Sequence, residues 1–149
     1  MASQVEPLDV WLYGIHVARL TQPNSARVHY RMDFTEEALD TYGEGRRILS
    51  LALPVSRKPV ADAPGGHLPV TSFLKGLLPE GNLLQQLATA QRVPTSDQMA
   101  LLRAVGADCA GAIQFLRAGT SRPQPSVRRL SSIEVTRIVA DLPTYNLPD

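Results

Sequence analysis

The sequence predicts an α+β fold, a small antiparallel sheet packed by a C-terminal helical segment. Three observations predict it. Apolar–polar alternation with period two is confined to the first half of the chain, and helical spacing of apolar residues to the second. This segregation argues against a parallel sheet, in which the two patterns would alternate. The length of 149 residues, 44% of them hydrophobic, suits one domain with its own core.

The elements follow in order. Leu8 to Tyr13 alternates, with Val10 and Leu12 on one side and Asp9, Trp11 and Tyr13 on the other. Gly14 can supply the positive φ of a tight hairpin turn into a second run, His16 to Leu20. After the turn residues Pro23-Asn24-Ser25, Val28, Tyr30 and Met32 alternate with Arg27, His29 and Arg31, the pattern of a half-buried strand. Thr35 to Tyr42 reads as one or two helical turns, with Glu36 and Glu37 favourable near a helix N-terminus. Ile48 to Leu53 reads as a fourth strand, ended by Pro54. Residues 54–70 hold Pro54, Pro59, Pro64, Gly65, Gly66 and Pro69 and read as a loop.

The second half is read as helical. A short helix over Ser72 to Leu78 is interrupted by Pro79-Glu80-Gly81. Leu83, Leu84 and Leu87 then mark one face of a helix running to about Gln91. Thr95 and Gln98 have capping-box spacing, ahead of a helix presenting Met99, Leu102 and Val105 and ended by Gly106. Ala112 to Leu116 reads as the last strand. The expected organisation is therefore a domain over 8–117, a flexible polar linker over 118–130 and a short amphipathic helix over 131–142. Ser131 and Glu134 form that helix's capping box, and Ile133, Ile138 and Leu142 are its candidate partner-contact residues.

Charge and chemistry exclude several functions. The formal net charge is +1, so no strong attraction to nucleic acid or anionic lipid is expected. Arg27, His29 and Arg31 near Trp11 and Tyr13 could suggest nucleic acid, but the rest of the chain is not basic. An acidic stretch (Asp33, Glu36, Glu37, Asp40, Glu44) and a basic C-terminal one (Arg117, Arg122, Arg128, Arg129, Arg137) read as solvated faces or partner surfaces. The single cysteine, Cys109, cannot form an intramolecular disulfide and fits a reducing compartment. The chain has no apolar run long enough to span a bilayer, and its first residues lack the features of a secretory signal. A cytoplasmic location with no membrane contact is expected.

His16, His29 and His67 show no metal-ligand spacing. His16 and His29 read as surface residues, His67 as part of the Gly-Pro loop. Cys109 has no base assigned by spacing and reads as a packed structural thiol, so a small enzyme built on His67 or Cys109 is the weakest reading. No phosphate loop, His-Arg-Asp catalytic loop or Asp-Phe-Gly metal motif occurs. The reading thus assigns no catalytic, cofactor-binding or metal-ligating residue.

Four segments carry a resemblance. They are Val10-Trp11-Leu12-Tyr13-Gly14, the run from Leu49 to Pro54, the run from Phe73 to Leu83, and the run from Leu101 to Phe115. In this order and spacing, over residues 8–117, the chain resembles the N-terminal domain of the HipA family of bacterial serine/threonine kinase toxins. The resemblance implies a domain that packs on a kinase core and takes part in contacts with the antitoxin or a second toxin molecule. Catalytic motifs belong to that core and have no match here. Some such systems split the domain off as a small subunit that neutralises the kinase. The expectation is a non-catalytic protein-interaction module that binds a HipA-like kinase core in trans, as split subunit or antitoxin. A HipB-like DNA-binding antitoxin is a possible second partner, with no direct nucleic-acid contact by this chain. The alternative is an N-terminal fragment of the kinase toxin itself, functional only with its core.

Overall fold

The structure, a computed structural model, describes residues 5–23, 29–109, 112–121 and 128–140. Its strands are β1 (Leu8–Leu12), β2 (Ile15–Thr21), β3 (Arg31–Phe34), β4 (Val60–Ala61) and β5 (Ile113–Arg117). Its helices are α1 (Glu36–Tyr42), α2 (Pro69–Lys75), α3 (Gly81–Gln91), α4 (Gln98–Val105) and α5 (Ser132–Ala140), with a 3-10 turn at Gly106–Asp108. The sheet runs β4-β3-β2-β1-β5, every neighbouring pair antiparallel. The α+β class and the antiparallel sheet are as the sequence predicts.

The sheet follows from the alternation. Leu8 lies opposite Leu20, which lies opposite Met32; Val10 lies between Ala18 and Phe115. All six are buried, and with Val70 and Leu74 of α2, Ala88 of α3, and Met99, Leu101 and Leu102 of α4 they form the core. The β1–β2 turn is Tyr13-Gly14, both with positive φ (49° and 75°), as a two-residue hairpin of right-handed twist requires. A bulge between Val10 and Trp11 breaks the alternation in β2, because Val10 pairs with Ala18 but Trp11 with His16. The extra residue, Val17, is buried beside Ala18, and its carbonyl accepts from Thr35 N at 3.0 Å. Thr35 is also the N-cap of α1: its Oγ1 accepts from Ala38 N (3.1 Å) and donates to the His16 carbonyl (2.6 Å). The bulge is thereby where α1 is fastened to the sheet.

The structure departs from the sequence reading at several places. Ile48 to Leu53 is not a strand. Residues 45–55 close on themselves, Gly45 N donating to Val55 O (2.7 Å), Val55 N to Arg46 O (2.8 Å) and Leu53 N to Ser50 O (3.1 Å), which spends the groups a sheet would need. The fourth strand is Val60–Ala61, inside the expected loop and short enough to fit between Pro59 and Asp62. The third strand begins only at Arg31; Arg27 and Val28 lie outside the described residues. α2 starts at Pro69, where a missing N–H costs nothing in a first helical turn, and ends at Lys75. α4 is capped by Asp97, whose Oδ1 accepts from Ala100 N at 3.0 Å, and not by a Thr95–Gln98 box; Gln98 turns inward and is buried.

In α3 the inward stripe is Leu84, Leu87 and Ala88, while Leu83 is exposed. Gly106 does end α4, and for a second reason. A Cβ there would lie 2.6 Å from Phe115 Cβ, so only glycine lets the turn pass against β5.

Candidate interaction surface

Buried polar side chains hold the domain's elements together. Asp62, just after β4, accepts from Tyr30 N (3.1 Å), Val70 N (3.0 Å), Thr71 N (3.2 Å) and Thr71 Oγ1 (2.6 Å). The N-cap of α2 is Leu68, which has no side-chain acceptor, so the Asp62 carboxylate takes that part from a distance. Tyr30 donates its hydroxyl to Gln98 Oε1 (3.2 Å) and accepts from Met99 N (3.4 Å), tying the start of β3 to the start of α4. Burial pushes the Tyr30 phenol up to about 12.

Asp9 is buried on the opposite face of the sheet from Val10. It accepts from Arg19 Nε (2.8 Å) and Gly119 N (3.1 Å), with His16 Nε2 at 3.2 Å. Burial pushes this carboxyl up, but the Arg19 hydrogen bond, the Gly119 N–H and the His16 and Arg19 charges outweigh it and hold it below its ordinary value. Both carboxylates are engaged by protein donors, the arrangement of structural pins. Ala118 N also donates to Pro7 O (3.2 Å), so the first residues of the expected linker are fastened to the domain.

The histidines and the cysteine are placed as follows. His16 is not a surface residue as expected; its ring is half-buried and stacks on Trp11, centroids 5.1 Å apart, because the bulge sets the two opposite each other. His29 is also half-buried, and His67 is exposed. Cys109 is half-buried at the core's edge, where burial first and then the Asp108 charge push its thiol up, against nucleophilic use. Among the described residues no group of three or more His, Cys, Asp or Glu could hold a metal ion. The acidic stretch is met by Arg57, 3.5 Å from Glu36 and 3.9 Å from Glu44. Such exposed pairs contribute little to stability.

The exposed apolar surface is of two kinds. Tyr13, Leu51 and Leu83 stand singly on separate elements, which is ordinary. α5 is different: Ile133 (76% exposed), Val135 (45%), Ile138 (48%) and Val139 (59%) share one nine-residue helix, and none of its residues is buried. Its start is locally encoded by the expected capping box. Ser131 N donates to Glu134 Oε2 (2.8 Å) and Glu134 N to Ser131 Oγ (3.3 Å), while Arg128 Nη1 donates to Glu134 Oε1 (2.6 Å). The Ser131 N–H and the Arg128 hydrogen bond hold the Glu134 carboxyl below its ordinary value. Of the candidate contact residues, Ile133 and Ile138 are exposed on this helix, and Leu142 lies outside the described residues. Val135 and Val139, four residues apart and outside that candidate set, are exposed on the same helix. No helix among the described residues is long and apolar enough to cross a membrane.

Comparison with known proteins agrees with this architecture. The chain is 31% identical over 114 residues to the serine/threonine-protein kinase toxin HipA of Shewanella oneidensis (strain MR-1), an alignment covering 76% of this chain and 23% of the toxin. It also matches a chain of the solved Shewanella oneidensis MR-1 complex of HipA, HipB and operator DNA, with TM-score 0.61 and 26% identity, over 95% of this chain and 32% of that one. The chain thus spans 23% of the length of the one relative and 32% of the other. Residues 8–116, from the first strand to the last, match the HipA N-terminal domain, and the chain belongs to that family.

Proposed function

We propose that this chain is a non-catalytic interaction module of a HipA-type toxin–antitoxin system, and that it binds a HipA-like kinase core in trans as a split subunit or antitoxin. One observation carries the reading: residues 8–116 match the HipA N-terminal domain, and the helix beyond them leaves its apolar side chains exposed. A domain taken from a larger body presents apolar surface where the rest of the body docks, and α5 presents such a surface. The working parts are the domain over 8–117, the connecting segment over 118–130 and the helix over 131–142, with Ile133, Ile138 and Leu142 among the contacts. A HipB-like antitoxin is a second partner by analogy with the solved complex. The setting is the cytoplasm.

A second reading has its own support. The structural match extends past residue 116, where the family domain ends, toward α5. That extent suits an N-terminal segment of the kinase toxin itself. Calorimetric titration of the chain against a HipA-like kinase core, with a phosphorylation assay alongside, separates the possibilities. Saturable binding with inhibition of the kinase supports the antitoxin role. Binding that restores activity to an inactive core supports the fragment reading. No binding refutes docking. Magnesium-dependent phosphate transfer by the chain alone refutes the non-catalytic assignment.

A further inference from the structure

We propose that α5 is enclosed by the kinase core on two opposite sides, so that the chain donates a helix to the core's interior and does not merely lay one flank on its surface. This rests on the docking reading above and specifies its geometry. Successive helical residues are about 100° apart around the axis. Val135, Ile138 and Val139 fall in one sector about 100° wide, while Ile133 and Ala140 fall within about 20° of each other on the opposite side. Thr136 lies between the two groups, and its hydroxyl donates to the Ser132 carbonyl at 2.9 Å, which leaves its methyl facing outward. The strongly polar sector contains Glu134 and Arg137, with Glu134 already engaged by Ser131 and Arg128. The apolar residues thus occupy one sector about 100° wide and a second about 20° wide, parted by Glu134 and Arg137 on one side and by Ser132 and Thr136 on the other. A helix resting on a surface needs a single apolar stripe roughly 100° wide, so the second apolar group on the opposite side calls for a second surface.

The chain's own domain does not provide that interior. None of the α5 residues is buried, and the apolar face of the sheet is already filled by α2, α3 and α4. The kinase core is the occupant the comparisons favour. The family domain stops at residue 116, whereas a structural match over 95% of the chain leaves too few residues out to omit α5. The match thus runs past the family domain into the region of α5, and roughly two thirds of the HipA chain lies outside it, the part that would supply the two enclosing surfaces.

The test is co-expression of the tagged full chain with the Shewanella oneidensis HipA lacking its own N-terminal domain, reading the soluble core recovered with the tag. Ile133→Glu and Ile138→Glu charge opposite sides of α5, and Arg137→Gln alters the polar sector. Both isoleucine variants are expected to lower recovery at least tenfold, with Arg137→Gln close to wild type and all three free chains melting as wild type does. Loss with only one isoleucine variant would show a helix lying on a surface and would overturn enclosure while docking stands. Wild-type recovery by both would overturn it as well. A lower melting temperature in both free variants would show that the domain itself covers α5. Self-association of the wild-type chain that both variants abolish would assign the two sides to a second copy. Either result overturns the proposal. No recovery with the wild-type chain overturns docking and enclosure together.

Discussion

α4 and α5 have eight and nine residues, and each begins with a side-chain cap, Asp97 in one and Ser131 in the other. Four residues of α4 are buried and none of α5. The difference lies in what each is joined to. α4 begins where Tyr30 and Gln98 meet and ends where Gly106 lets the chain turn against Phe115, so its apolar residues are delivered onto the sheet. α5 follows a polar segment, and among the described residues after Thr120 no such fastening is seen; its cap can start a helix but cannot direct it to a surface. Short helices are marginal alone in water, so the lesson is that a cap and an apolar stripe specify a helix, while a tertiary neighbour gives it a place.

The sharpest way to break this comparison is to cut an apolar side chain from each helix, buried in α4 and exposed in α5. Leu102→Ala in α4 is expected to cost about 2–5 kcal/mol of unfolding free energy through the cavity it leaves. Ile138→Ala in α5 is expected to change stability by less than about 0.5 kcal/mol in the isolated chain. Urea denaturation of the two variants reads both values, and equal losses would mean that α5 packs on its own domain.

Next in size is the polar fastening of α4. Tyr30→Phe leaves Gln98 Oε1 and Met99 N without the hydroxyl they share, at about 1–3 kcal/mol. The same variant has a pH signature. Burial raises the phenol from 10.0 to about 12, so the folded state favours the protonated form. That contribution is fully present below pH 10 and is lost as pH rises toward 12; the phenylalanine variant should lack this part of the alkaline decline. Alkaline titration of both proteins by circular dichroism is the check.

Cap removal sharpens the contrast further. Asp97→Ala should lower the stability of the whole domain by about 1 kcal/mol, since α4 unfolds with the core. Ser131→Ala should weaken the helical signal of residues 132–140 in NMR shifts and leave the global transition unchanged.

The smallest effect concerns the join between the two regions. Asp9 is held below the ordinary carboxyl value of 3.8 in the fold, so its contribution is present above about pH 4 and is lost as pH falls through the depressed value. Asp9→Asn should therefore show a shallower acid-induced loss of stability than wild type. Hydrogen exchange at the Gly119 amide should also rise in that variant, because its acceptor is weakened.

Much of this protein was legible from residue order. Alternation in Val10–Leu12 and Tyr30–Met32 marked strands because a half-buried strand must alternate, and Ser131 with Glu134 marked a helix start because the two satisfy each other's backbone donors locally. The segments around Phe73–Leu83 and Leu101–Phe115 carried the family; the break at Pro79-Glu80-Gly81 is a local backbone requirement, with Gly81 at φ 57°, whereas Gly106 is required by the approach of Phe115. Tertiary structure alone decided the rest. Ile48–Leu53 has the composition of a strand, but its backbone groups are taken within its own loop, and Val60–Ala61 reaches the sheet edge in its place. Asp62 and Asp9 look like any surface acids in the sequence; they are buried because donors from distant segments, Tyr30 and Thr71 for one and Arg19 and Gly119 for the other, converge only after folding. The same holds for α5. Its pattern announces an apolar helix, but burial depends on whether another surface reaches it, and within this chain the sheet face has already been filled by α2, α3 and α4.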